Sequence, residues 1–122
     1  MIDDISASEQ LAWVFETKIR AGQRPAVEAL IKEAIAATRA DPKAINYEFF
    51  LDGDVLHVFE KYADSAATSA HLAWFGENIA DRFRSIADIT RFTVYGSPSD
   101  DVRRILDPMG ATYLEAFGGF AR

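Results

Sequence analysis

The stretch that decides the fold is Glu60-Lys61-Tyr62-Ala63-Asp64-Ser65-Ala66-Ala67-Thr68-Ser69-Ala70-His71-Leu72-Ala73-Trp74. Glu60 and Tyr62 end an alternating run, so they share one face of a strand. Asp64 is a natural acceptor for the unpaired N–H groups of a first helical turn. His71 and Trp74 follow three residues apart, on one face of the helix that Asp64 begins. A strand passing straight into a capped helix lays that helix over a sheet. An imidazole and an indole then stand where the two layers meet.

Reading upstream, residues 44–51 and 54–62 are two aromatic and β-branched runs on either side of Asp52-Gly53, which supplies the positive φ angles of a two-residue hairpin. Residues 11–20 alternate as a strand, and Ala21-Gly22-Gln23 breaks it. Pro25 then suits the first turn of a helix whose apolar stripe is Val27, Leu30, Ile31, Ala34, Ile35 and Thr38, stopped by Asp41-Pro42. Glu28 and Lys32 are spaced for an ion pair on the wet side of that helix. Downstream, a helical region runs from Asp64 to about Arg84, bent near Gly76, and residues 88–96 make a fourth strand. The order β-α-β-β-α-β predicts an α+β, ferredoxin-like fold: a four-stranded antiparallel sheet with both helices on one face. Ser97–Asp101 reads as the start of a short helix before Pro108, and Thr112–Phe117 as a short strand. The chain is thus read as a single domain, 1–122, with a core at about 10–96 and a helix-strand extension, 97–122, outside that core unit.

Bulk composition narrows the class. With 122 residues, 49% of them hydrophobic and 26% charged, the chain supports one core and no second. It has no cysteine, which removes disulfides, thiolate zinc sites and thiol chemistry. A net charge of -6 argues against nucleic acid or an anionic membrane surface as partner. No run approaches the roughly 18 apolar residues of a membrane span. Met1–Asp4 is acidic with no apolar run behind it, so no signal peptide is expected, and a cytoplasmic protein is the default.

Helices cover only one side of such a sheet, yet apolar strand residues fall on both parities. Trp13, Phe15, Tyr47, Phe49 and Phe59 lie on one, Val14, Phe50, Leu56, Val58, Phe92 and Val94 on the other. Which set faces the helices depends on register. An uncovered face of this composition would be a patch of several hundred Å², more than a monomer usually leaves open. The expected solution is a homodimer with its sheets face to face, a barrel built from two chains. The alternatives are a tail that folds back over its own sheet, or a tail strand that crosses to the partner.

His71 is the best candidate for chemistry. A neutral imidazole, with an ordinary pKa of about 6.5, is a natural base for a phenol or hydroquinone near neutral pH. The resulting anion is electron-rich and passes an electron to O2 with no help beyond a dry, oriented site. Trp74 and Phe75 are expected as walls that stack on a flat substrate, with Tyr62 or Glu60 orienting His71 or a substrate hydroxyl, and Tyr47 lining the pocket. The bland alternative makes His71 and Trp74 ordinary half-buried helix residues, and most of the nine phenylalanines plain core. His57, alone in mid-strand, reads as structural or dimer-facing. Glu16 and Glu48 enter a site only if they face the helices; otherwise Glu16 pairs with Lys18 or Arg91, or meets solvent. Two histidines without an acidic partner at ligand spacing predict no metal site. Gly118-Gly119 has no helix or lysine behind it and is no phosphate loop, and there is no nucleophile elbow or nucleotide fingerprint.

Taken together, these residues resemble the antibiotic biosynthesis monooxygenase family of dimeric α+β barrels. The likeness is carried by strand 11–20 followed by Gly22 and a long helix, by Tyr47-Glu48, and by Glu60-x-Tyr62-x-Asp64-x-x-Ala67-x-x-x-His71, and it covers about residues 10–96. The resemblance implies cofactor-independent oxygenation of polycyclic phenols or hydroquinones. The family also includes heme-degrading members and many proteins of no known activity. Its heme branch carries an axial His about three turns beyond the His71 position; here Ala80, Asp81 and Arg82 stand there, so no heme and no other cofactor is expected. The leading expectation is a cofactor-independent monooxygenase of quinol or polyketide-type aromatic compounds. The alternatives are a non-catalytic module holding a small hydrophobic ligand, and an isomerase or lyase that uses the same His without oxygen.

Overall fold

The computed structural model describes residues 9–121, so the acidic start Met1–Asp4 lies outside the described residues. The order of elements is β1 (Leu11–Ile19), α1 (Arg24–Arg39), β2 (Ala44–Asp52), β3 (Val55–Tyr62), α2 (Ser65–Asn78), α3 (Ala80–Ile86), β4 (Ala87–Tyr95), α4 (Asp100–Leu106) and β5 (Ala111–Leu114). The sheet order is β2-β3-β1-β4-β5. The first four strands pair antiparallel, as a ferredoxin-like core requires.

β5 changes the sheet that the sequence predicted. The sheet has five strands and is mixed, because β5 pairs with β4 in parallel, Val94 opposite Tyr113. The cause is the crossover. α4 carries the chain back along the layer, so the next strand starts at the same end as β4 and can only run alongside it. The return is fixed by Tyr113, whose hydroxyl donates to Asp107 at 2.5 Å while the Arg103 guanidinium lies 4.2 Å over its ring. Nor does the extension stand apart from the core. Val102 and Leu106, four residues apart on α4, are fully buried in the same cluster as Trp13 and Val94. Burying two such side chains contributes roughly 3–6 kcal/mol, so α4 belongs to the stability of the whole domain.

Helix α1 forms as expected, with Pro25 in its first turn and Val27, Leu30, Ala34 and Thr38 buried. Glu28 pairs with Arg24 at 3.4 Å rather than with Lys32. The hairpin loop is Gly53-Asp54, one residue later than the sequence suggested, with Gly53 at φ 62. Asp64 caps α2 by accepting from the Ala67 N–H at 2.8 Å. The helical region breaks at Ile79, φ -120 and ψ -40, and not at Gly76. The Arg82 guanidinium donates to the Asn78 carbonyl at 2.6 Å and to both oxygens of Glu33, which ties α3 to α1.

Register sorts the apolar residues. Trp13, Phe15, Tyr47, Phe49, Leu56, Val58, Phe92 and Val94 all lie on the face that the helices cover, since Trp13 pairs with Glu60 and Val94, Phe15 with Val58 and Phe92, and Tyr47 with Glu60. The other face keeps Val14, Phe50, Phe59, Tyr95 and Leu114 around a polar centre. There His57 Nε2 lies 3.5 Å and Arg91 Nε 3.9 Å from the two oxygens of Glu16. Glu16 and Glu48 are therefore on the open face, away from His71. Among the described residues no helix is long and apolar enough to cross a membrane.

Candidate functional site

Strand β3 ends on the covered face with Glu60 and Tyr62, and α2 returns over it so that His71 lands on Glu60. The His71 Nε2 is 3.1 Å from Glu60 Oε1, and the Tyr62 hydroxyl donates to the same oxygen at 2.5 Å. Both members of the pair are buried, His71 at 7% and Glu60 at 3% exposure. A carboxylate this deep is tolerable only because donors surround it. When Nε2 carries the proton given to Glu60, the other ring nitrogen, Nδ1, holds the lone pair. The carboxylate thus sets the tautomer and the tilt of the ring, as the acid of a catalytic triad does for its histidine.

Aromatic rings close around the imidazole. Tyr62 lies 4.8 Å from it, Tyr47 5.5 Å, Trp74 5.6 Å and Phe75 6.5 Å, centroid to centroid. Burial first, and the Glu60 charge second, push the phenols of Tyr47 and Tyr62 well above the ordinary tyrosine range. Tyr62 is therefore a fixed neutral donor to Glu60, not a base. Burial of Glu60, Tyr62 and His71 lowers the local dielectric, which strengthens every charge-dipole interaction among them.

Between sheet and helices lies a cavity of about 10 Å³, lined by Trp13, Phe15, Glu60, His71, Phe75 and Met109 among others. That is room for about one water molecule. Of the residues picked from the sequence, Glu60, His71 and Phe75 reach this cavity. Tyr47, Tyr62 and Trp74 gather around the imidazole without lining it. Phe92, one of the phenylalanines that the sequence offered as possible pocket lining, reaches it too, whereas Trp13 and Met109 were not picked as site residues. Trp13 was visible only as an apolar position of β1, and nothing short of the β1–β3 register places it opposite Glu60. Met109 arrives from the turn Asp107–Met109, in the segment read as lying outside the core unit.

A larger groove, about 500 Å³, lies at the other end of β1 among Lys18, Arg20, Arg24 and Asp54. Its cations are already paired, Lys18 with Asp54, Arg20 with Asp88 and Arg24 with Glu28, and neither histidine reaches it. Among the described residues no group of three or more His, Cys, Asp or Glu side chains is placed to hold a metal ion.

Comparison with known proteins agrees with this architecture. MupZ from Pseudomonas fluorescens has a similar structure, with a TM-score of 0.84 and 24% identity over 94% of this chain and 96% of that one. Such a share must take in most of residues 97–122. SnoaB, a cofactor-independent oxygenase from Streptomyces nogalater, superposes with a TM-score of 0.63 at 12% identity, over 75% of this chain and 96% of its own. Rv0793 from Mycobacterium tuberculosis does so with a TM-score of 0.56 at 26% identity, over 75% and 96%. No curated protein matches the sequence. The family model for antibiotic biosynthesis monooxygenases matches residues 11–74, the span from β1 to Trp74 that carries three of the five strands and the Glu60–His71 pair. By that match, over more than half its length, the chain belongs to the antibiotic biosynthesis monooxygenase family.

Proposed function

We propose that the protein is a cofactor-independent oxygenase of quinol or polyketide-type aromatic compounds, with His71 as its base. The observation that carries this reading is the buried contact between His71 Nε2 and Glu60 inside a shell of aromatic rings. Family membership and the fold shared with SnoaB, itself a cofactor-independent oxygenase, support it. With an anthrone as example, His71 takes the acidic proton and leaves the delocalised anion. The anion gives one electron to O2, and the carbon radical and superoxide join in a C–O bond. The imidazolium returns its proton to the peroxide. Loss of the remaining C–H proton then breaks the O–O bond, so one oxygen stays as the new carbonyl and the other leaves as water. Glu60 stabilises the imidazolium while it exists, and Tyr62 keeps Glu60 in place. The substrate enters by displacing Met109, whose unbranched thioether is the most easily moved wall.

The proposal includes a two-fold dimer in which the open sheet faces meet, supported by Val14, Phe50, Phe59, Tyr95 and Leu114 on that face. Sedimentation is expected to show a dimer of the 13.6 kDa chain. Phe50→Glu places a charge among the apolar side chains of that face and is expected to yield monomer; a wild-type monomer would contradict the proposed dimer.

A second reading, a binding module without turnover, is favoured by the small volume of the cavity. Oxygen uptake with a panel of hydroquinones and anthrones separates the two. Uptake above autoxidation is expected, falling about a hundredfold in His71→Ala, within the range a general base contributes. Ligand binding with no uptake by the folded protein would select the binding module.

A further inference from the structure

We propose that the indole N–H of Trp13 is the hydrogen-bond donor that receives the anionic oxygen of the substrate. This inference rests on the reading of His71 as the base and gives that reading its missing counterpart. A base that makes a phenolate needs something to hold the new negative charge, and Glu60 and the π faces nearby cannot do so.

Three observations single out Trp13. Its side chain is 1% exposed, and its Nε1 is a buried donor with no hydrogen-bond partner among the described residues. It stands directly opposite Glu60 across the β1–β3 ladder, on the same sheet face. It also lines the same small cavity as Glu60 and His71. Buried tryptophans normally satisfy their N–H, and leaving one unmade has a penalty that packing alone does not explain. Ring contacts with Tyr62 at 5.2 Å and Phe92 at 5.8 Å fix the indole, so the donor is pre-oriented. In the resting protein one water fits the cavity and can take this bond. In the complex the substrate oxygen replaces that water. The arrangement therefore selects ligands with an acidic hydroxyl or enol on a flat ring, and rejects ring analogues that lack it.

The chain has two tryptophans, so the indole region of a 15N–1H spectrum of labelled protein holds two signals, and Trp74→Phe assigns them. The probe is 4-nitrophenol, whose anion absorbs apart from the neutral phenol, titrated at fixed pH into the full-length protein. Binding as the anion is expected, with the Trp13 N–H signal moving downfield in step with saturation. In Trp13→Phe, anion affinity is expected to fall about tenfold, the usual effect of one charge-assisted hydrogen bond. An anion signal that depends on His71 while the Trp13 resonance stays still would overturn the assignment to Trp13 and leave His71 as base. An absence of both, with the protein folded, would overturn both readings. The spectrum of the unsubstituted protein decides the question even if Trp13→Phe folds poorly.

Discussion

Glu60→Ala is expected to destabilise the domain by about 3 kcal/mol and to reduce turnover about a hundredfold, as much as His71→Ala does. The substitution strands two buried donors, the His71 Nε2–H and the Tyr62 hydroxyl, and each stranded donor costs about 1–3 kcal/mol. Relief from burying a carboxylate offsets part of that sum, which places the net near the lower end of the range for breaking a buried pair, about 3 kcal/mol. Glu60→Gln keeps the shape and an acceptor for Tyr62, so its loss of stability is expected to be about 1 kcal/mol. Its loss of turnover stays close to that of alanine, because an amide does not stabilise an imidazolium. Urea unfolding and oxygen uptake on the two variants separate these effects. An alanine variant as stable as wild type would mean that the triad of Tyr62, Glu60 and His71 is not the anchor described above.

The second large effect is alkaline unfolding. Tyr47 and Tyr62 have folded-state pKa values raised above the ordinary 10.0, by burial first and the Glu60 charge second. The unfolded chain then releases these protons before the folded one does. Stability is unaffected below about pH 10 and is lost as pH rises beyond it, at about 2.7 kcal/mol per pH unit for the two phenols together. Tyr113, whose pKa is pushed up to about 12 chiefly by burial, with Asp107 adding to the rise, contributes in the same direction over a narrower window. Urea midpoints between pH 9 and 11.5 are expected to fall steeply past 10, with Tyr62→Phe removing about a third of the slope. A flat profile would contradict the burial of both rings.

Much of the architecture was legible because each element carries its own period. Strand 11–20, the stripe from Val27 to Thr38, and the hairpin around Gly53 declare themselves locally. Register does not. Trp13 and Phe59 have the same odd parity, yet Trp13 faces the helices and Phe59 the open side, because β3 presents its even residues where β1 presents its odd ones. This is why the apolar residues seemed evenly divided, when most of them belong to one face. The grouping of Glu60, Tyr62 and His71 was legible because the three lie within one strand-to-helix passage. Trp13, Phe92 and Met109 join it only through pairings between distant strands and the turn after α4. The extension was misjudged because Val102 and Leu106 are too few to make a convincing stripe alone. Their burial depends on α4 landing beside α2. The break at Ile79 was hidden because no glycine or proline stands there to announce it.

The central claim is that the Glu60–His71 pair acts as a base on a bound phenol. Its most direct test is the pH dependence of oxygen uptake with one accepted hydroquinone or anthrone, for wild type and His71→Ala side by side. A limb that rises with pH is expected for wild type, because a base acts only when deprotonated, and it is expected to disappear in the variant. The same limb persisting in His71→Ala would contradict the claim and assign the proton transfer to another group.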